Sequence, residues 1–243
     1  MDVLALYDIH GNAEALETVL ADPRAAGADA VVVGGDAVPG PEARAVVERL
    51  DGLGVPVHWV RGNGEREVAA AVGAPPARED DEPGLWAEFS VADLGGANAR
   101  RLGELPLTVE LDGVLYCHAS PRSDEEMLTK LSPAERWADA LAGVDAPLVV
   151  AGHTHQQDDR RVGAVRFVNA GSVGLPYEGD GAARWAWISG GVPELRATAY
   201  HAAAAGRRIL ARGFPGGQSV EAALIAPVDP AEITRLFEAR AGG

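Results

Sequence analysis

Five short valine-rich runs each end in an Asp, Asn or His, mostly beside glycine, and no other feature constrains the fold as much. Val3–Tyr7 runs into Asp8-Ile9-His10-Gly11-Asn12, and Ala30–Val33 into Gly34-Gly35-Asp36. Val55–Val60 runs into Arg61-Gly62-Asn63-Gly64-Glu65, Val114–Cys117 into His118, and Leu148–Ala151 into Gly152-His153-Thr154-His155. Apolar runs of this length, bounded by turn residues, read as buried strands. Helical stretches separate several of them. Asn12 is placed to cap one carrying Leu16, Val19 and Leu20. Pro41 suits the first turn of another, carrying Val46, Val47 and Leu50, which Gly52 would end. Ser132-Pro133-Ala134-Glu135 reads as a capping box opening a helix towards Leu141, and Asp229-Pro230-Ala231-Glu232 repeats it before Ile233, Leu236 and Phe237. Strand–helix alternation builds α/β layers. In such sheets the C-terminal strand ends form the crevice where ligands bind, so the polar groups at the five exits are expected to converge.

The later third has a different texture. Val162–Asn169, Arg184–Ile188 and Leu195–Tyr200 alternate partially, with Gly and Pro between them, and predict an antiparallel meander. Pro75–Gly84, which carries Glu79, Asp80, Asp81 and Glu82, reads as a solvated loop. No repeat, low-complexity tract or composition break forces a boundary, so residues 1–243 read as one domain.

Composition narrows the function. With 36 acidic and 21 basic side chains the net charge is −15, which argues against duplex nucleic acid as a partner because such binders normally carry a basic face. A small phosphorylated substrate remains compatible if metal ions supply the positive charge. Cys117 is the only cysteine, which excludes a disulfide scaffold. No apolar stretch approaches the roughly 20 residues needed to span a bilayer, and Asp2 spoils a signal-peptide start. The expectation is a cytoplasmic protein with no membrane partner. Nothing in the sequence sets the oligomeric state.

Of six histidines, four (His10, His118, His153 and His155) fall at strand exits, together with Asp8, Asp36 and Asn63. Imidazole nitrogens with carboxylate and amide oxygens form a ligand set suited to Mn, Fe, Zn, Co or Ni. Mn2+ is the first choice, with Mg2+ also possible. Without a thiolate cluster, a cysteine-type structural zinc is excluded. Seven ligands are too many for one catalytic ion that keeps an open position. They suit two ions, about 3.5–4 Å apart, that share a carboxylate.

As an ordered set, Asp8-x-His10, Gly35-Asp36, Gly62-Asn63, His118 and Gly152-His153-x-His155 resemble the motifs of the calcineurin-like metallophosphoesterase superfamily. Asp8-Ile9-His10-Gly11-Asn12 and Asn169-Ala170-Gly171-Ser172 resemble its small bacterial and archaeal phosphodiesterase-like branch. The resemblance spans Asp8 to Ser172. It implies a four-layer α/β/β/α sandwich of two mixed β-sheets flanked by helices. It also implies that Asp8, His10 and His155 hold one divalent ion, that Asn63, His118 and His153 hold the other, and that Asp36 bridges them. Asp36, Asn63 and His118 are then the residues expected to act in catalysis, through a metal-bridging hydroxide that attacks phosphorus in line. A phosphomonoesterase of the same fold is the nearest alternative.

One position departs from the pattern. Many members of the superfamily have histidine after the motif asparagine, serving the leaving group or the transition state; here Gly64 stands there. A positioned acid is worth about 10²–10⁴ in rate, so esters with poor leaving groups are expected to react slowly. The loss is also compatible with a noncatalytic scaffold, as in a retromer subunit that uses this fold mainly for binding. All seven ligand positions carry usable donors, which weighs towards an enzyme.

Other readings lose. Ala170-Gly171-Ser172-Val173-Gly174 resembles a nucleophile elbow, but Gly174-Leu175-Pro176 starts no helix. Cys117 precedes His118, and neighbouring strand residues face opposite ways, so it reads as buried and structural. His58 and His201 read as packed or surface residues, Arg61 as an ion-pair partner, and Glu65 either as a helix cap or as support for a metal ligand.

Overall fold

In the computed structural model, residues 1–226 and 228–241 are described. Ten strands form among them: β1 Asp2–Leu6, β2 Ala30–Val33, β3 Val57–Trp59, β4 Thr108–Leu111, β5 Val114–Cys117, β6 Leu148–Ala151, β7 Asp158–Val162, β8 Val165–Asn169, β9 Ala183–Ser189 and β10 Val192–Thr198. The helices are α1 Ala13–Leu20, α2 Ala43–Asp51, α3 Asn63–Ala70, α4 Glu82–Leu94, α5 Gly96–Gly103, α6 Ala134–Ala140, α7 Ala202–Ala211, α8 Gly217–Ile225 and α9 Pro230–Ala241. One five-stranded sheet has the order β10-β9-β1-β2-β3 and the other β4-β5-β6-β8-β7. In the first, β1, β2 and β3 run parallel and β9 is antiparallel to β1. In the second, β5, β6 and β8 run parallel, with antiparallel β4 and β7 at the edges.

The alternation of side chains along each strand explains the layering. On β1, Leu4 and Leu6 pack outward against Leu16 and Val19 of α1 and Val46 and Leu50 of α2. Val3 and Ala5 face the other way, onto Val114, Leu148, Val150 and Val168 of the second sheet. On the far side of that sheet, Cys117, Val149 and Phe167 cover Trp137 and Leu141 at α6. Strands buried on both faces must be apolar at every position, hence the unbroken valine runs. The result is the four-layer α/β/β/α sandwich expected from the sequence. Tyr7, fully buried, ties the sheets together by donating its hydroxyl proton to the Val150 carbonyl at 2.8 Å.

Several local expectations hold. Asn12 caps α1 by accepting the Ala15 N–H, Gly52 ends α2, and the Asp229 carboxylate accepts the Ala231 N–H at the start of α9. Others need correction. Ser132 does not cap α6: its hydroxyl accepts the Thr129 N–H and donates to Glu238, and the Pro133 carbonyl receives the first helical N–H bonds instead. The acidic run at 79–82 is not all loop, since Asp81 accepts the Gly84 N–H and caps α4, which Glu82 opens. The meander is divided. The β7–β8 hairpin edges one sheet and the β9–β10 hairpin the other, because the chain crosses between sheets after Asn169. Among the described residues, no helix is long and apolar enough to cross a membrane.

Candidate metal centre

The parallel strands of the two sheets deliver their exits to one place. β1 leads to Asp8 and His10, β2 to Asp36, β3 to Asn63 at the start of α3, β5 to His118, and β6 to His153 and His155. Ligand atoms of Asp8, His10 and His155 lie within 4.8 Å of one another, and so do those of Asp36, His118 and His153. The two groups abut. His118 Nε2 is 3.5 Å from Asp36 Oδ1 and 3.9 Å from Asp8 Oδ1, while His10 Nε2 is 3.7 Å from Asp36 Oδ2. Each oxygen of Asp36 therefore faces a histidine of a different group. Asn63 lines the same cleft as His10 and Asp36.

Backbone conformation is costly here. Asp8, His10, Asp36, His153 and His155 have φ between +46° and +70°, and Asp112 is the only other non-glycine in that region among the described residues. A left-handed conformation costs an L-residue roughly 1–2 kcal/mol and persists where the surroundings over-determine it, typically at functional sites.

Hydrogen bonds from behind aim the rings. Nδ1 of His10 meets the Pro39 carbonyl at 3.2 Å, Nδ1 of His118 the Gly34 carbonyl at 3.1 Å, and Nδ1 of His155 the Leu175 carbonyl at 2.7 Å. A carbonyl only accepts, so each Nδ1 carries the proton and each Nε2 presents a lone pair in the neutral ring. Nε2 of His10 and Nε2 of His155 then face each other at 3.2 Å, an arrangement that calls for a cation between them. Asp8 Oδ1, Asn63 Oδ1, His118 Nε2 and His153 Nε2 are buried without a hydrogen-bond partner. Unpartnered buried groups carry a desolvation cost, and a divalent ion accepts this set of donors. The residues fit a metal pair.

The electrostatics are those of crowded, buried charges. Burial works to raise the carboxyl pKa of Asp8, but His155 and His118 outweigh it and hold it below the ordinary value. Asp36 is likewise lowered, burial being outweighed by His118 and His10. Burial disfavours the charged His118 ring, yet Asp36 beside it pushes its pKa up to about 10. Burial, with His118 nearby, pushes His153 down to about 4.

Glu65 both caps a helix and supports the site. Fully buried, it accepts N–H bonds from Gly62, Asp36, Ala37 and Val38, closing the first turn of α3 while shaping the loop that presents Asp36. Burial, aided by Asp36, raises its pKa to about 7. The Gly64 N–H donates to Asp36 Oδ1 at 2.7 Å. A Cβ at Gly64 would stand 2.1 Å from the Val38 carbonyl and 2.7 Å from Pro39, so this loop leaves no room for a side chain there.

The remaining residues named from the sequence fall into place. Ser172 is fully buried and donates to the Asp8 carbonyl at 2.7 Å, a scaffolding bond. Cys117 is buried in the outer core, which pushes its thiol pKa well up. Arg61 pairs with Asp124 at 3.3 Å, and His58 and His201 lie on β3 and before α7. The sequence placed Glu82 in a solvated loop and gave no role to Glu67 and Trp86, yet all three line the cleft, and Tyr177 stacks on His155 with ring centroids 4.8 Å apart. Glu67 was within reach as the residue four after Asn63 on one helix face. Tyr177 had no local signal.

Residues 1–186 match the family model described as the calcineurin-like phosphoesterase superfamily domain. A metallophosphoesterase from Sphaerobacter thermophilus is similar at 25% identity and a TM-score of 0.77, covering 93% of this chain and 98% of its own. The hypothetical protein PH1004 from Pyrococcus horikoshii OT3 is similar in fold at 20% identity, with the same TM-score and coverage. Comparison with curated protein sequences gives no match. With the five strand-exit motifs gathered in one crevice and the domain matched over most of its length, the chain belongs to the calcineurin-like phosphoesterase superfamily.

Proposed function

We propose that this protein is a dinuclear metal-dependent phosphodiesterase that hydrolyses a small phosphorylated substrate. Asp8, His10 and His155 would hold one divalent ion and Asn63, His118 and His153 the other, with Asp36 placed to serve both. The observation that carries this reading is the inward, unpartnered donor set, above all the two Nε2 lone pairs of His10 and His155 opposed at 3.2 Å. Bound ions, Mn2+ foremost, supply Lewis acidity and lower the pKa of water to near neutrality. The chain's own part is orientation. The carbonyls of Pro39, Gly34 and Leu175 hold three rings, and Gly64 N–H and Glu65 hold the Asp36 segment. With no imidazole at position 64, no side chain there protonates the leaving oxygen. Residues 1–243 act as one domain, a reading supported by β10, which lies beyond the matched region and pairs with β9, itself paired with β1. A lone buried cysteine fits a reducing compartment such as the cytoplasm.

The test is turnover of bis(p-nitrophenyl) phosphate by Mn2+-loaded protein, with metal content measured alongside. Chelation should abolish activity, and Asp36→Ala should lower kcat/KM by at least about 100-fold. Across diesters with graded leaving groups the rate should fall steeply as leaving-group pKa rises, because a missing general acid removes about 10²–10⁴. Activity indifferent to chelator and to Asp36→Ala would overturn the reading, and two bound ions without turnover would favour a scaffold.

A further inference from the structure

The two ligand groups are not equal. Asp8, His10 and His155 include a carboxylate of their own, whereas Asn63, His118 and His153 offer an amide and two rings and rely on Asp36 for negative charge. An amide oxygen is a weaker donor than a carboxylate. It also serves only when the amide is turned the right way, because the NH2 side has no lone pair to offer a cation. Asn63 is the first residue of α3, after Gly62, and its Oδ1 is buried without a hydrogen-bond partner. A flip about Cγ would put the NH2 group in place of that oxygen and close the position to an ion.

One side chain decides the flip. Glu67 stands four residues on, one turn along α3 and on the same face. Its Oε1 accepts the Asn63 Nδ2–H at 3.3 Å. An ionised carboxylate only accepts, so the amide nitrogen must turn towards Glu67 and the oxygen, on the other side of Cγ, away from it. Glu67 is half-buried and lines the same cleft as Asp36 and Asn63. Its neighbour Arg66 does not draw it off, since that guanidinium is taken by Asp124 and Glu125. An acceptor on the N–H side also polarises the amide and leaves more negative charge on Oδ1, because hydrogen bonds in a low-dielectric site strengthen one another.

Resting on the dinuclear reading above, we propose that Glu67 is the positioning residue for the ion assigned to Asn63, His118 and His153. It holds the Asn63 amide with Oδ1 turned inward and supplies negative charge from behind that ligand. Placed there, it takes up no coordination position, which leaves the site open to substrate or water. Glu65, in the same turn, acts differently, since its oxygens are occupied by the backbone N–H groups of Gly62, Asp36, Ala37 and Val38. A partner that orients a metal ligand in this way is typically worth about 10–100-fold in metal affinity.

The test is calorimetric titration of Mn2+ into full-length protein stripped of metal by chelator, a readout that needs no turnover. The parent should take up two ions. Glu67→Ala should weaken one of them by about 10–100-fold and leave the other near its parent value. Its melting temperature in chelator should stay close to the parent's, because an i,i+4 helix pair contributes little to stability. Glu67→Gln keeps an acceptor oxygen in place and should recover most of the lost affinity. With bis(p-nitrophenyl) phosphate, the deficit of Glu67→Ala should close as Mn2+ is raised, as a purely structural defect would not. Two ions bound by Glu67→Ala as tightly as by the parent, or a Glu67→Gln variant as weak as Glu67→Ala, overturns the proposal. A parent that binds a single ion overturns the dinuclear reading and the proposal with it. If two ions bind and no diester is hydrolysed, the phosphodiesterase reading fails alone, and the affinities still decide the part played by Glu67.

Discussion

His10, His118 and His155 each have Nδ1 held by a backbone carbonyl from a distant part of the chain, at positions 39, 34 and 175. The tautomer, and hence the inward lone pair, is set by the fold behind the ring. Without metal, the same crowding makes stability depend on pH. His118, raised from 6.5 to about 10, contributes fully below pH 6.5 and loses that contribution as pH rises through 10. Glu65, raised from 4.5 to about 7, contributes below pH 4.5, and this is lost as pH rises through 7. Asp8 and Asp36, held below 3.8, contribute above that value and lose it as pH falls. His153, lowered from 6.5 to about 4, works the other way, its contribution present above pH 6.5 and lost as pH falls through 4. The losses from Glu65 and His118 are larger, so the urea midpoint of metal-free protein in chelator should fall from pH 5 to pH 9. Metal affinity should run the other way, rising with pH as the His118 proton is displaced. A midpoint that climbs from pH 5 to pH 9 in chelator would show that these groups are not coupled as described.

The element that matters most is the pairing of the β2 exit with the start of α3. Glu65 binds four N–H groups across the two segments, and Gly64 N–H binds Asp36. The sequence located this exit, because Gly-Asp and Gly-Asn after valine runs mark sharp turns at a crevice. It did not reveal that the Val38–Pro39 loop fills the space beside position 64. Gly64→His should consequently not restore a general acid. Overpacking against the Val38 carbonyl should destabilise the protein by about 1–3 kcal/mol, lower the Tm and reduce metal content. A variant that folds as well as the parent and cleaves alkyl diesters faster would contradict this packing. Helix boundaries were less legible than strand exits. Ser132 resembles a cap in sequence, but its hydroxyl is taken by Thr129 and Glu238, one of them contributed by α9.

Across the whole molecule, the site lies at the seam of two sheets, so its geometry depends on how they dock. Tyr7 joins them through the Val150 carbonyl, and its ring packs in the core between them. Tyr7→Phe should cost about 1–3 kcal/mol by leaving that carbonyl unpaired in a buried place, and should weaken metal binding by loosening the seam between Asp8 and His153. Unchanged urea midpoint and metal affinity would remove Tyr7 from this role. The outer layers were harder to read in advance. α4 and α8 carry little periodic apolar signal, and the assignment of the β9–β10 hairpin to its sheet rests on a pairing more than a hundred residues apart, β1 with β9.

Sequence alone was enough for the layered α/β class and for the five strand exits that meet in one crevice, because apolar periodicity and turn chemistry are local and survive in a linear string. Which face each ring turns inward, the closure of position 64 by a neighbouring loop, and the acidic, aromatic wall from α3 and α4 were decided only by tertiary structure. They arise where segments distant in the chain meet at van der Waals distance, and no local pattern encodes that meeting.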